Sequence, residues 1–329
     1  MNSNIKYLPG YLQTHEKGLL KKRTDQLYFL LESCELCARK CRVNRIEGEL
    51  GYCKSGKELK ISSYGPHFGE EQPLVGPKEG GLLMANIPGI SKSGGSGTIF
   101  LTGCNLLCVF CQNYNISHLG EGHSISSEKL AEIMLHLQDS GCHNINFVTP
   151  THFTPQILKS LQIAVASGLR LPIVWNCGGY ENPEIITQLQ GIVDIYMPDF
   201  KFGNSSPATK FCDAPDYFEQ CSEAVKEMHR QVGDLKMTEE GIAIRGLLIR
   251  HLVMPNDLAG SEKILKFIAS EISTYSYVNI MSQYRPQSEA YQYSGLNRCP
   301  TGEEYLQVIQ LARKLGLSRG FQYKHLNRL

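Results

Sequence analysis

The chain has 329 residues, 42% of them apolar and 20% charged, and a formal net charge of +1. That balance argues against a disordered polyelectrolyte, an acidic tail or a polybasic nucleic-acid surface. The opening "MNSNIKYLPGYLQTHEKGLL" lacks the apolar centre of a signal peptide, and no run of about 18 apolar residues occurs, so a cytoplasmic protein with no membrane span is expected.

In chain order, the first feature is "CELCARKCRVNRIEGELGYC", which places Cys34, Cys37, Cys41 and Cys53 in a C-x2-C-x3-C-x11-C pattern. Four thiolates this close suit a closed structural site, either zinc or a second iron–sulfur cluster. Zinc sites more often have two tight cysteine pairs, so zinc, a cluster and no metal all stay open here. The neighbouring Arg39, Lys40, Arg42 and Arg45 are read as a solvated basic face. Residues 1–90 are taken as an N-terminal extension carrying this Cys-rich module, and 91–329 as the main domain.

From residue 98, short β-rich runs alternate with amphipathic stretches. The runs are "TIFLT" 98–102, "INFVT" 145–149, "LPIVW" 171–175, "IVDIYM" 192–197, "LLIRHLV" 247–253 and "YVNIM" 277–281. Helices are predicted over 126–141 and 154–168, each opened by a capping Ser or Thr and closed by Gly. Six strand–helix units in series predict an α/β fold, a partial (β/α)6 TIM-type barrel with parallel strands and right-handed crossovers. A dinucleotide-binding fold is the alternative, but no strand leads into a G-x-G-x-x-G turn. The connection 203–245 is the longest and is expected to shape the opening or to cover the barrel.

Function in such a barrel gathers at the C-terminal ends of the strands. Cys104, Cys108 and Cys111, in "GCNLLCVFC", directly follow the first strand and so fall on that face. Three thiolates on one tight loop can hold three irons of a [4Fe–4S] cube and leave the fourth iron open to a ligand, whereas closed clusters ordinarily take four cysteines. Zinc completed by a remote histidine, or a chance grouping, are the competing readings. The five scattered cysteines, at 142, 177, 212, 221 and 299, are read as small buried apolar residues.

Other strand ends supply polar candidates. Asp199 and Lys201, two apart, share one side of the fourth strand's end, and the bland reading is a structural ion pair. Thr149, Thr151 and His152 follow the second strand, although Thr151 or Thr154 serves equally well as a helix cap. Asn176 follows the third strand, Arg250 and His251 lie on the fifth, and Gln283, Tyr284 and Arg285 follow the sixth as substrate-contact candidates by position alone.

"GCNLLCVFCQN" resembles the signature of the radical S-adenosylmethionine (SAM) superfamily. With "GEEQPLVGPKEGG", "NFVTPTHFTPQI", "VWNCGGYE", "DIYMPDFKF", "LLIRHLVMPN" and "NIMSQYRP", nearly the whole chain is similar to a poorly characterised branch related to pyruvate formate-lyase activating enzyme. The resemblance implies a [4Fe–4S] cluster on Cys104, Cys108 and Cys111, with S-adenosylmethionine on the open iron. It implies reductive cleavage to methionine and a 5′-deoxyadenosyl radical, hydrogen abstraction from a protein glycine or another substrate, and an external reductant such as flavodoxin or ferredoxin. Phe110 matches the aromatic position near the adenine, and Asp199 and Lys201 match the D-x-K motif near the cosubstrate. "VTPTHFTP" departs from the glycine-rich segment of many relatives, leaving Thr149, Thr151, Asn176 and Arg250 as candidate contacts. Extra clusters in activating enzymes follow the radical signature, whereas here the additional cysteines precede it. An iron–sulfur electron-transfer or metal-binding protein without this chemistry is the alternative function.

Overall fold

Runs of β-branched and aromatic residues only four to six long, separated by amphipathic segments, cannot bury their apolar faces alone, and they do so by assembling side by side. In the computed structural model, which describes residues 7–76 and 94–321, they form one sheet. Its strands are β1 (Lys60–His67), β2 (Ser96–Leu101), β3 (His123–Ser124), β4 (Ile145–Val148), β5 (Ile173–Cys177), β6 (Ile195–Pro198), β7 (Lys236–Met237), β8 (Ala243–Leu252) and β9 (Tyr277–Met281). The order is β3-β1-β2-β4-β5-β6-β8-β7, with β9 also paired to β8.

The parallel series β2-β4-β5-β6-β8-β9 contains all six expected strands. Among the described residues no ladder joins β9 to β3, so the sheet is an open, partial barrel. β5 and β6 are buried along their whole length, as parallel strands covered on both faces must be. Three strands were not expected: β1 and β3 extend the β2 edge antiparallel, and β7 pairs antiparallel with the start of β8. β1, "KISSYGPH", carries Ser, Gly and Pro, a composition that reads as a loop and is tolerated in a strand near a sheet edge.

Helix Ser127–Asp139 begins at Ser126, whose hydroxyl accepts from the Lys129 amide, and buries Leu130, Ile133, Met134 and Leu137 on one stripe. Helix Thr154–Ala166 departs from expectation at its start. It grows out of a 3-10 turn, Thr151–Phe153, with no side-chain cap, and the Thr154 hydroxyl donates to the Thr151 carbonyl at 2.7 Å. Within 203–245 lie helices Ser205–Cys212 and Tyr217–Val232; the second packs Cys221, Ala224, Val225 and Met228 into the core, so this connection covers the barrel.

The N-terminal segment runs up the flank of the barrel. Below the strands, the buried Asp194 carboxylate accepts from the Tyr7 hydroxyl and the Gly10 and Ile173 amides, while Tyr11 donates to the Leu171 carbonyl. Tyr11, Leu20, Leu27, Leu31 and Leu36 belong to the same apolar core as the sheet. The boundary expected at residue 90 lies outside the described residues.

One backbone position ties fold to site. Gly179, after β5, has φ +83°, and a Cβ there would stand 2.2 Å from the Asp199 carbonyl oxygen and 2.8 Å from the Tyr217 hydroxyl. Gly179→Ala combines a left-handed backbone with a collision against the end of β6. It should lower the unfolding free energy by on the order of 3 kcal/mol, read from the urea midpoint.

Candidate functional site

The loop after β2 is held from several directions. Gly103 (φ +78°) donates its amide to the Ile116 carbonyl, Val109 to that of Phe211, and Val109 in turn accepts from the Glu289 amide. Its three thiols line one cavity of about 420 Å³ at the C-terminal ends of the parallel strands. The Leu106 amide donates to the Cys104 sulfur at 3.4 Å, and the Ser117 hydroxyl donates to that of Cys111 at 3.2 Å.

These thiols do not ionise readily by themselves. Burial, then the neighbouring Cys108 and Cys111, pushes Cys104 up to about 12; burial and Cys108 also raise Cys111. Cys108 is raised well above the usual thiol range, first by its hydrogen bond with the Cys212 thiol and then by burial. Thiols crowded in this way need a strongly positive centre to replace their protons, which is what metal coordination provides. Among the described residues no three His, Cys, Asp or Glu side chains are preset around a single ion, and the Cys108 thiol is engaged by Cys212. The donor set still fits a cluster bound by three cysteines: one loop, one cavity wall and hydrogen-bond donors aimed at two sulfurs. A fourth cysteine on the wall, Cys177, is buried, and burial followed by the nearby Glu181 raises its thiol well above the usual range.

The same cavity is lined by a charged network spanning the ends of β5, β6 and β8. Asp199 accepts from Arg250 Nε at 2.7 Å and from Lys201 Nζ, and Arg250 Nη2 donates to Asn176 Oδ1 at 2.8 Å. Burial pushes the Asp199 carboxyl up, but Arg250 and Lys201 outweigh it and hold the group below the usual carboxylate range. The ion-pair reading of Asp199 and Lys201 is thus realised, and realised inside the cavity wall. Two cations, Lys201 and Arg250, share this one carboxylate. Glu71, raised by burial and bonded by Asn279, lies within the field of Arg250.

Phe110 packs edge-on against Phe202 and Tyr284 at 6.1 and 6.0 Å between ring centres. Thr149 lines the cavity with φ +58°, an uncommon conformation for a β-branched residue and the kind of strain that gathers at functional sites. Gln283 and Arg285 are exposed at the mouth, while Tyr284 is buried and donates to the Leu296 carbonyl.

Three candidates lie off the cavity. Thr151 is buried and donates to Glu181 at 2.7 Å, so its hydroxyl is spent in the packing behind β4 and β5. His152 faces the Thr102 carbonyl at 2.7 Å, and burial with Arg45 lowers it to about 3. His251 lies between the Phe200 carbonyl and the Ser261 hydroxyl. In the other direction, His67 and Glu70 come over the mouth from the end of β1, a strand that sequence periodicity did not reveal.

The N-terminal cysteines sit directly behind this loop. The Cys34 amide donates to the Val43 carbonyl and the Arg42 amide to the Cys34 carbonyl, and the Tyr52 amide donates to the Cys41 sulfur at 3.4 Å. Burial, followed by proximity to Cys53 and Cys34, raises the Cys37 thiol. The basic residues correct the expectation of a solvated face. Arg45 is fully buried and donates to the carbonyls of Gly56 (3.1 Å) and His152 (2.7 Å) and to the Cys34 sulfur (3.8 Å). Arg39 donates to the carbonyls of Asn105, inside the thiol loop, and Cys212, and lies 3.6 Å from the Tyr52 ring centre. Arg42 and Lys40 are outside, Arg42 paired with Glu35.

Residues 98–238 match the sequence profile of the radical SAM superfamily. An uncharacterized protein of Methanocaldococcus jannaschii is 34% identical over 314 residues, covering 93% of this chain and 82% of the relative. A second uncharacterized protein of that organism is 22% identical over 303 residues, covering 89% and 80%. Among solved structures, a radical SAM methyltransferase from Sphaerobacter thermophilus aligns with a TM-score of 0.45 and 15% identity, covering 68% of this chain and 64% of that one. Native anSMEcpe with bound AdoMet aligns at 0.43 and 12%, covering 65% and 57%. Both structural likenesses are too distant to carry a function.

Glu181 offers a check on the buried polar layer behind the site. Burial lifts its carboxyl from 4.5 to about 7 against the opposing Thr151 and Cys177 hydrogen bonds. An acid raised in this sense binds a proton in the folded chain at pH values where the unfolded chain has lost it. Its contribution therefore falls as pH rises from about 4.5 to 7, by about 3 kcal/mol in all. Urea unfolding at pH 5 and pH 7.5 should show this loss, and Glu181→Gln should flatten the pH dependence by that amount.

Proposed function

Because the chain belongs to the radical SAM superfamily, we propose that its cavity binds S-adenosylmethionine against a [4Fe–4S] cluster on Cys104, Cys108 and Cys111 and cleaves it reductively. The observation that carries this reading is that the three thiols and the Asp199–Lys201–Arg250 network line one cavity at the ends of the parallel strands. When bound, the cluster supplies one electron to the cosubstrate, whose carbon–sulfur bond breaks to give methionine and a 5′-deoxyadenosyl radical. The chain's own contribution is placement. Lys201 and Arg250 offer positive charge to a carboxylate, Asn176 and strained Thr149 offer polar contacts beside them, and Phe110 offers a ring face to the adenine. In a partly water-excluded cavity such contacts act more strongly than in bulk solvent.

The radical is directed at a C–H bond of a second substrate, and a protein glycine is the first candidate. This rests on the resemblance to pyruvate formate-lyase activating enzyme and on the D-x-K motif at Asp199 and Lys201, with exposed Gln283 and Arg285 at the mouth. We assign a metal, zinc or a second cluster, to Cys34, Cys37, Cys41 and Cys53. Support comes from Arg45: among the described residues no carboxylate lies within 4 Å of this fully buried guanidinium, and thiolate charge beside Cys34 would balance it.

Anaerobically reconstituted protein reduced with dithionite should yield 5′-deoxyadenosine and methionine, slowly without substrate, measured by chromatography. Cys108→Ala should lose the barrel cluster by iron and sulfide analysis, and Lys201→Met should keep it while binding S-adenosylmethionine at least about tenfold more weakly. A full cluster with neither binding nor cleavage would replace this reading by simple electron transfer.

The N-terminal assignment is checked separately. Cys37→Ser should release one zinc, or one cluster's complement of iron, and lower the thermal midpoint while the barrel cluster stays. Unchanged metal content would remove that centre.

A further inference from the structure

The thiol loop has a second face, turned away from the cosubstrate cavity, and nothing in the reaction described so far uses it. There a separate hollow of about 390 Å³ is floored by Thr102, Gly103 and Ser117 and walled by Lys54, Lys57 and Lys60. Ser117 is the link between the two sides, since its hydroxyl is on this floor and 3.2 Å from the Cys111 sulfur. The three lysines are exposed, and among the described residues the only carboxylate on the lining is Glu58, which is hydrogen-bonded by Ser124. Three exposed cations thus stand around one acid in a chain whose net charge is only +1, while Arg45 at the back is buried and turned to the carbonyls of Gly56 and His152. Leu50 and Leu119, 59% and 61% exposed, stand on the rim. His118, stacked on Tyr114, is lowered by burial and adds no charge at neutral pH.

We propose that this face is the docking surface for an acidic one-electron carrier protein, which delivers its electron across the Ser117–Cys111 contact. The proposal rests on the reading that Cys104, Cys108 and Cys111 hold a reducible cluster. Two exposed leucines beside three exposed lysines suit a small, transient interface in which charge steers the encounter and little area is buried. The far side of the loop is committed to the cosubstrate, so a carrier seated here reaches the thiols without opening the cavity.

The experiment is stopped-flow reduction of the reconstituted protein by reduced flavodoxin, an acidic flavoprotein, with photoreduced 5-deazaflavin as a small reductant that needs no docking. In the unmodified protein the flavodoxin rate should fall as salt rises. The triple variant Lys54→Glu, Lys57→Glu, Lys60→Glu should be reduced by flavodoxin at least about tenfold more slowly and lose that salt dependence, with the triple Gln variant between. Cluster content and the deazaflavin rate should not move, and Lys266→Glu, on helix Ser261–Phe267, should behave like the unmodified protein. An unchanged flavodoxin rate in the triple Glu variant overturns the proposal, as does equal slowing with both reductants. A hollow that merely takes a small anion would bind inorganic phosphate saturably while charge reversal left the flavodoxin rate unaffected, and that also overturns it. Failure to assemble any cluster in the unmodified protein would instead defeat the underlying assignment of the three cysteines.

Discussion

The Asp199 carboxylate is the interaction around which the catalytic face is built. It sits where β6 ends and takes Arg250 from β8 and Lys201 from its own strand, and Arg250 reaches on to Asn176 at the end of β5. Three parallel strands that share no covalent neighbourhood are thereby fixed at one level. Its backbone is held as well: the Asp199 carbonyl accepts from the Tyr217 hydroxyl, which also receives the Lys201 amide. Removing a single member would leave a buried charge without its partner, the costly way to break such a network. The same network also sets Lys201 and Arg250 on the lining of the cavity that holds the three thiols.

A second constraint acts from behind. The N-terminal module is fastened to the thiol loop by the Arg39 hydrogen bond to the Asn105 carbonyl and by the close approach of Gly103 to the Cys53 carbonyl. A Cβ at Gly103 would come within 2.7 Å of that oxygen, so the contact needs glycine. Arg45 then ties the module to the turn after β4 through the His152 carbonyl. The two groups of cysteines are adjacent structural units, and the geometry of one loop depends on the order of the other.

The protein thus presents the thiol loop as a partition. On one side lies the cavity lined by the three thiols and the charged network, and on the other a hollow lined by three exposed lysines. Ser117 bridges the partition and Cys212 braces it through the Cys108 thiol.

The sequence by itself determined the six parallel strands, the place of Cys104, Cys108 and Cys111 at the C-terminal ends of those strands, and the pairing of Asp199 with Lys201. Each follows from local rules: hydrophobic period, the loop after the first strand, and two-residue alternation along a strand. Only the tertiary structure decided what depends on long-range packing. β1 is too rich in Ser, Gly and Pro to announce itself, yet its end brings Glu70 over the mouth. Thr151 stands two residues from Thr149, but the 3-10 turn rotates its hydroxyl onto Glu181 and away from the cavity. Arg39 and Arg45 look like surface cations in a charged run and are drawn inward by carbonyls from residues 105, 152 and 212, partners more than 60 positions distant that no local pattern encodes.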